Sequence, residues 1–158
     1  MSWKDTYKVW QERTDLESDL KQELAAMSDD KEIEDAFYGP LSFGTAGMRG
    51  LMGPGINRMN VYTVRQATEG LATLMDSLGD DIKKRGVAIG YDSRHNSRKF
   101  AHDAARVLGA HGIKVYIYDN LRPTPELSFA VRHMGTYAGI MITASHNPKE
   151  YNGYKIYG

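Results

Sequence analysis

Three short apolar runs, Val87–Tyr91, Ile113–Tyr118 and Ala138–Thr143, recur at nearly even intervals and constrain this chain more than any other feature. Each is of strand length and rich in β-branched and aromatic residues. The segments between them carry helical signals instead. After the first run, Phe100, Ala104, Val107 and Leu108 recur at helical spacing, with Ser97 as the expected cap and Gly112 as the stop. After the second, Thr124 precedes Pro125 at a first helical position, which predicts a helix to Met134, before Gly135. Strand, helix and strand in alternation is the pattern of βαβ crossovers, whose parallel strands need helices on both faces. The predicted fold is α/β: a three-layer α/β/α sandwich with a mostly parallel mixed sheet of about four strands.

The part before the first run reads differently. Trp3, Tyr7 and Trp10, then Leu16, Leu20, Leu24 and Met27, predict helix over the first 27 residues. Thr14 with Glu17 fits a capping box, so two helices are expected there. A short helix is expected over 31–37, within the linker-like stretch 28–40. Residues 1–38 therefore read as an N-terminal helical extension and 39–158 as the α/β domain. From Pro40 the chain becomes glycine-rich, and Leu41–Gly55 reads as a strand interrupted or flanked by glycine turns. Asn60 then caps a long helix with Val64, Ala67, Leu71, Leu74, Met75 and Leu78 on one face, ended by Gly79 or Gly86.

Composition excludes several classes. The 158 residues suit a single domain, and 41% apolar residues are enough for one core. With no cysteine there is neither a disulfide framework nor a thiolate nucleophile or metal ligand. No apolar run reaches membrane-span length, and the start lacks a leader's uncharged core. A cytoplasmic protein with no membrane or nucleic-acid partner is expected. Residues 1–35 hold 11 acids against 5 bases, and the remainder 9 acids against 15 bases. A basic body suits an anionic ligand, although solvated surfaces often show the same imbalance.

In open α/β sheets ligands gather beyond the carboxyl ends of the strands. Three segments fall there: GYDSRHNS, DNLRPTP and ASHNPKEYNGYK. In the last, Ser145 leaves a strand at a turn that includes His146, Asn147 and Pro148, with Lys149 nearby. A hydroxyl so placed suits a nucleophile or phosphoryl acceptor. A loop serine bonded to its own backbone fits the same residues. G-x-S-x-G is absent, which disfavours a serine hydrolase. Gly44, Gly47 and Gly50 match neither the P-loop nor the dinucleotide pattern. The five histidines lack metal-ligand spacing, and His102 and His111 are expected on helix surfaces.

Thr143-Ala144-Ser145-His146-Asn147-Pro148, followed by Tyr151-Asn152-Gly153-Tyr154-Lys155, resembles the active-site segment of the α-D-phosphohexomutases. Phe43-Gly44-Thr45-Ala46-Gly47-Met48-Arg49-Gly50 is similar to that family's N-terminal motif, and Gly90-Tyr91-Asp92-Ser93-Arg94 to its second. The motifs occur in family order, and the longer first one resembles the phosphoglucomutase and phosphopentomutase branch.

The resemblance implies that Ser145 carries a phosphoryl group. A phosphoserine adds about −1.5 to −2 charges that need neutralising. In the family a Mg²⁺ bridges it to three aspartates of a later domain, so Ser145 is the expected metal contact of this chain, through its phosphate. Arg49 is then expected at the phosphoryl group, its fork matching phosphate oxygens. His146 is expected to hydrogen-bond at the serine, and Lys155, returned by a turn at Asn152-Gly153, to exchange a proton with the sugar hydroxyl. Thr45, Asn147, Asp92 and Arg94 are the expected supporting residues, the last two as ion pair or direct contact.

The implied activity is an intramolecular phosphotransfer between glucose 1-phosphate and glucose 6-phosphate, with glucose 1,6-bisphosphate as intermediate and activator. Phosphomannomutase and phosphopentomutase are the alternatives within the family. A non-catalytic module that binds a sugar phosphate or a partner protein is the alternative outside it. The chain ends at Gly158, after the first of the family's four domains. The metal loop and the sugar-reading loops are therefore expected from the remaining domains, and the fragment alone is expected to be inactive.

Overall fold

A five-stranded mixed sheet organises the chain in the computed structural model, which describes residues 2–43, 47–92, 94–118, 135–143 and 151–157. The strands are β1 (Met48–Leu51), β2 (Val87–Tyr91), β3 (Val115–Tyr118), β4 (Ala138–Thr143) and β5 (Tyr151–Tyr157), in spatial order β1-β5-β4-β2-β3. β3, β2 and β4 are parallel, as the βαβ pattern requires. β5 runs antiparallel to both β4 and β1. The sheet is therefore mixed, as expected, and the antiparallel pairing comes through β5.

β5 is also the strand beyond the four expected. The Asn-Gly pair at 152–153 reads as a turn, because both residues favour one. In the structure it lies inside β5, with Gly153 opposite Thr143 on one side and Arg49 on the other. The Asn152 side chain, which in a turn would bond its own loop, is buried and bonds Ser97 instead.

The helices are α1 (Trp3–Glu12), α2 (Ser18–Ala26), α3 (Asp30–Phe37), α4 (Val61–Leu78), α5 (Asp80–Arg85) and α6 (His95–Ala110). Asn60 caps α4 as expected, its Oδ1 accepting from the N–H groups of Tyr62 and Thr63. Both candidate stops operate: Gly79 ends α4 and Gly86 ends α5. Two expected caps do not form. α6 begins two residues before Ser97, with Arg94 at its N-cap position, which leaves Ser97 buried in the first turn. α2 begins at Ser18 after Glu17, with no side-chain cap, because the Glu17 carboxylate pairs with Lys99. The helix expected over 124–134 lies outside the described residues.

Alternation along the strands assigns two sheet faces. Val87, Ile89, Ile140, Ile142 and Tyr154 point to the face covered by α4 and α6, where they meet Val64, Leu71, Met75, Phe100 and Leu108 in the main core. Tyr154 is fully buried and shares a 2.8 Å hydrogen bond with Thr68 of α4. Burial pushes its phenol up, and the Thr68 bond opposes that. Ala88, Met141, Tyr118 and Tyr157 pack together on the opposite face.

The N-terminal helices form a second apolar cluster. Trp10 meets Phe37 and Tyr62 edge-on, with ring centroids 5.6 and 5.7 Å away. The Tyr62 hydroxyl accepts the Glu17 N–H, which ties this cluster to the start of α4. Buried Arg58 pairs with Asp35 at 2.8 Å and closes the same junction from α3. No helix among the described residues is long and apolar enough to cross a membrane.

Candidate functional site

The second sheet face gathers the motif residues into one row. Where β2 and β4 end, Asp92 is beside Thr143, Thr143 is opposite Gly153 of β5, and Gly153 is opposite Arg49 of β1. Neighbouring strands are about 4.8 Å apart, so four strands deliver these residues within roughly 15 Å. Lys155 shares the face, two residues along β5 and opposite Met141. The row lies at the carboxyl edge of the parallel strands, where α/β sheets bind ligands.

Local sequence explains each placement. Thr143 Oγ1 donates to Asp92 Oδ2 at 3.1 Å, and Asp92 Oδ1 accepts the Arg94 N–H at 3.1 Å. An aspartate that bonds the backbone two residues on turns the chain out of β2 and into α6. Asp92 thus meets Arg94 through the Arg94 backbone N–H. The Arg94 side chain is exposed at the helix start. Arg49 is exposed, with its guanidinium 5.8 Å from the Tyr151 ring centroid. Lys155 is exposed beside it.

Glycines set how closely the segments meet. Gly47 has φ +107°, and a Cβ there would be 2.3 Å from the Tyr154 carbonyl oxygen. Only glycine lets the first motif press against the backbone that presents Lys155. Gly153 leaves the middle of the row without a side chain, and a Cβ there would lie 3.3 Å from the Thr143 carbonyl oxygen. Arg49, opposite Gly153, and Lys155, two residues further along β5, are both exposed on this face.

Of the residues singled out from sequence, the row brings together Arg49 and Asp92, with Lys155 on the same face two residues away. Arg94 reaches it through its backbone. Thr45, Ser145, His146 and Asn147 lie outside the described residues. Sequence reasoning missed the parts played by Thr143, Tyr151 and Gly153. Thr143 and Gly153 belong to quoted motifs, but only strand register reveals that they are neighbours. His111 is not the plain surface histidine expected, since its ring nitrogens are each 2.6 Å from a carboxylate oxygen, of Asp76 and of Glu69.

The same residues bear on a metal. Mg²⁺ is usually held by carboxylates and phosphate oxygens while keeping several waters. No group of three or more histidine, aspartate or glutamate side chains able to hold a metal occurs among the described residues. The one carboxylate in the row, Asp92, already accepts from Thr143 and from the Arg94 N–H, and the flanking groups are cations. The described residues do not make a magnesium cage.

The site thus defines an α/β domain that carries two exposed cations, Arg49 and Lys155, on one sheet face near the carboxyl edge of its parallel strands. Comparison with known proteins sharpens that class. Residues 40–158 match the family described as phosphoglucomutase/phosphomannomutase, alpha/beta/alpha domain I, and the chain belongs to that family. Phosphopentomutase of Homo sapiens is 41% identical over 152 residues, covering 92% of this chain and 25% of that protein. Phosphoglucomutase of Staphylococcus haemolyticus is 50% identical over 125 residues, covering 79% of this chain and 22% of the relative. The crystal structure of a protein titled putative phosphomannomutase, from Thermus thermophilus, superposes with a TM-score of 0.63 at 32% identity, covering 75% of this chain and 26% of that one. The chain thus spans about a quarter of the length of these relatives, and its α/β/α architecture is that of their first domain.

Proposed function

We propose that this chain is the phosphoryl-carrying domain of a phosphoglucomutase, which interconverts glucose 1-phosphate and glucose 6-phosphate through a phosphoserine at Ser145. The observation that supports this most is the row Asp92–Thr143–Gly153–Arg49. It brings the cation of the first motif level with the strand end from which the chain continues, two residues later, to Ser145, with the lysine of the last motif two residues back on the same face.

In this reading a phosphoryl group passes from Ser145 Oγ to a hydroxyl oxygen of the sugar monophosphate. The P–Oγ bond breaks, a new P–O bond forms, and the hydroxyl proton goes to the Lys155 side chain as its neutral amine. The resulting glucose 1,6-bisphosphate turns over, and the reverse step returns its other phosphoryl group to Ser145. Such transfer depends mainly on positioning and on charge placed where the oxygens carry it. Arg49 supplies that charge, His146 bonds at the serine oxygen, and Thr45, Asn147, Asp92 and Arg94 support the loop and the phosphate. From this chain, only Ser145 through its phosphate would hold a Mg²⁺, which would offset the charge on the transferring phosphoryl group. For that reason the 158-residue chain alone is proposed to be inactive.

Relatives carrying the phosphopentomutase name cover at least nine-tenths of the chain, which favours a pentose phosphate as the second reading. Assays of the complete mutase polypeptide with glucose 1-phosphate, mannose 1-phosphate and ribose 1-phosphate choose among the sugars. Ser145→Ala should abolish turnover on all of them with an unchanged circular dichroism spectrum. Activity within roughly tenfold of wild type in that variant would sink the mechanism.

A further inference from the structure

β2 and β4 are parallel neighbours, and Tyr91 and Ile142 are the last residues of their paired register. One residue beyond, two bonds hold the strand ends together: the Asp92 N–H donates to the Ile142 carbonyl at 3.2 Å, and Thr143 Oγ1 donates to Asp92 Oδ2 at 3.1 Å. The second oxygen of the same carboxylate accepts the Arg94 N–H. The carboxylate therefore spans two chain segments, the turn into α6 and the end of β4. Thr143 is partly buried, and its backbone is opposite Gly153, which bears no side chain to brace it. On the Asp92 side, these two bonds restrain this strand end.

We infer that Thr143 is a positioning residue for the transfer reaction: its bond to Asp92 fixes the direction in which β4 releases the serine-bearing loop. This rests on the reading of Ser145 as phosphoryl carrier. A reacting oxygen two residues from a strand end inherits any rotation of that end, and small misplacements of a reacting atom are costly to rate. A hydrogen bond from a β-branched side chain, with few χ1 choices, suits that task. The inference also gives Asp92 a task besides phosphate support, since one of its oxygens accepts from Thr143 and the other from the Arg94 N–H.

The test uses Thr143→Val, which keeps the shape and removes the hydroxyl, and Thr143→Ser, which keeps the hydroxyl. Amide hydrogen exchange is measured on the 158-residue chain at Asp92, whose N–H closes the β2–β4 end. Turnover is measured in the complete mutase polypeptide. Thr143→Val should speed exchange at Asp92 several-fold and lower kcat by about tenfold to a hundredfold, with KM within roughly threefold. Thr143→Ser should restore both. Unchanged exchange at Asp92 in Thr143→Val overturns the restraint, whatever the activity. Faster exchange with an unchanged kcat overturns the positioning role. A wild-type enzyme that turns over without phosphate on Ser145 overturns the carrier reading instead, while the exchange experiment still decides the restraint.

Discussion

Asn152 Nδ2 donates to Ser97 Oγ at 3.1 Å, and both side chains are fully buried. The oxygen of the same amide accepts the Gly153 N–H at 2.8 Å, so both ends of the side chain are used. The bond joins the first turn of α6, which follows the second motif, to the start of β5, the strand that carries Lys155. Replacing Asn152 by Leu would bury the Ser97 hydroxyl and the Gly153 N–H without these partners, at about 1–3 kcal/mol for each group so left. For a chain of this size each kcal/mol lowers Tm by about 2–4 °C. Thermal melting of Asn152→Leu should therefore fall by several degrees. Ser97→Ala added to it should cost less than it does alone, since the two changes remove one shared bond. A melting curve within a degree of wild type would show that the bond has no weight.

Two glycines with the same backbone sign separate strain from crowding. Gly79 has φ +104° with nothing within 4 Å of where a methyl group would stand, whereas Gly47 has φ +107° and no room at all. Gly79→Ala should cost only the conformational penalty, about 1–3 kcal/mol. Gly47→Ala adds a 2.3 Å clash with the Tyr154 carbonyl, which only movement of β1 or β5 can relieve. It should melt lower than Gly79→Ala. In the complete enzyme it should also lose activity per folded molecule, because Lys155 moves with that backbone. Equal melting temperatures for the two variants would mean that the close approach at Gly47 is not needed.

Those two positions show where sequence reading succeeded and where it stopped. The βαβ half was legible because apolar runs of strand length alternate with helical periodicity, and because Asn60 caps α4 by local chemistry that needs no distant partner. Both failed caps, Ser97 and Thr14–Glu17, failed through tertiary partners: Asn152 takes the serine hydroxyl, and Lys99 takes the glutamate. β5 was misread because Asn-Gly signals a turn unless something distant uses the asparagine. For the site, motif residues named Arg49, Asp92 and Lys155, but the arrangement that joins them depends on antiparallel register, which no local pattern encodes.

His111 closes α6 and joins it to α4 by a different chemistry. Its Nδ1 and Nε2 are each 2.6 Å from an oxygen, of Asp76 and Glu69 respectively, and Lys83 from α5 reaches Asp76 at 3.0 Å. A neutral imidazole has one N–H, so only the imidazolium can donate to both carboxylates. The hydrogen bond to Asp76, then that to Glu69, raises the His111 pKa above its ordinary 6.5, and the Asp76 pKa is lowered by His111 and then Lys83. A raised histidine value contributes stability that is complete below the unfolded value and lost as pH rises through the folded one. Denaturant midpoints should therefore decline as pH rises above the ordinary histidine value of 6.5, and His111→Gln should flatten that decline. On the acid side, the Asp76 contribution should persist until pH falls through its depressed value. A His111→Gln chain with the wild-type pH slope would show that the contact carries no linkage.

Arg49 and Lys155 should matter to transfer and hardly at all to folding. Both are exposed, and the contact that the Arg49 guanidinium makes with Tyr151 is worth about 0.5–1 kcal/mol at an exposed site. Replacing either by Met should thus move Tm by only a few degrees. Turnover in the complete enzyme should fall at least about 10²-fold for each, the scale for removing one positioned charge or proton-transfer group. The two losses should differ in kind. Arg49→Lys keeps the charge but not the planar fork that matches phosphate oxygens, so it should recover only part of the rate. Lys155→Arg keeps charge but cannot give up its proton near neutral pH, so it should recover almost none. Sharp loss of melting temperature with activity per folded molecule preserved would make both residues structural, and would remove the cations on which the phosphate-receiving role of the row depends.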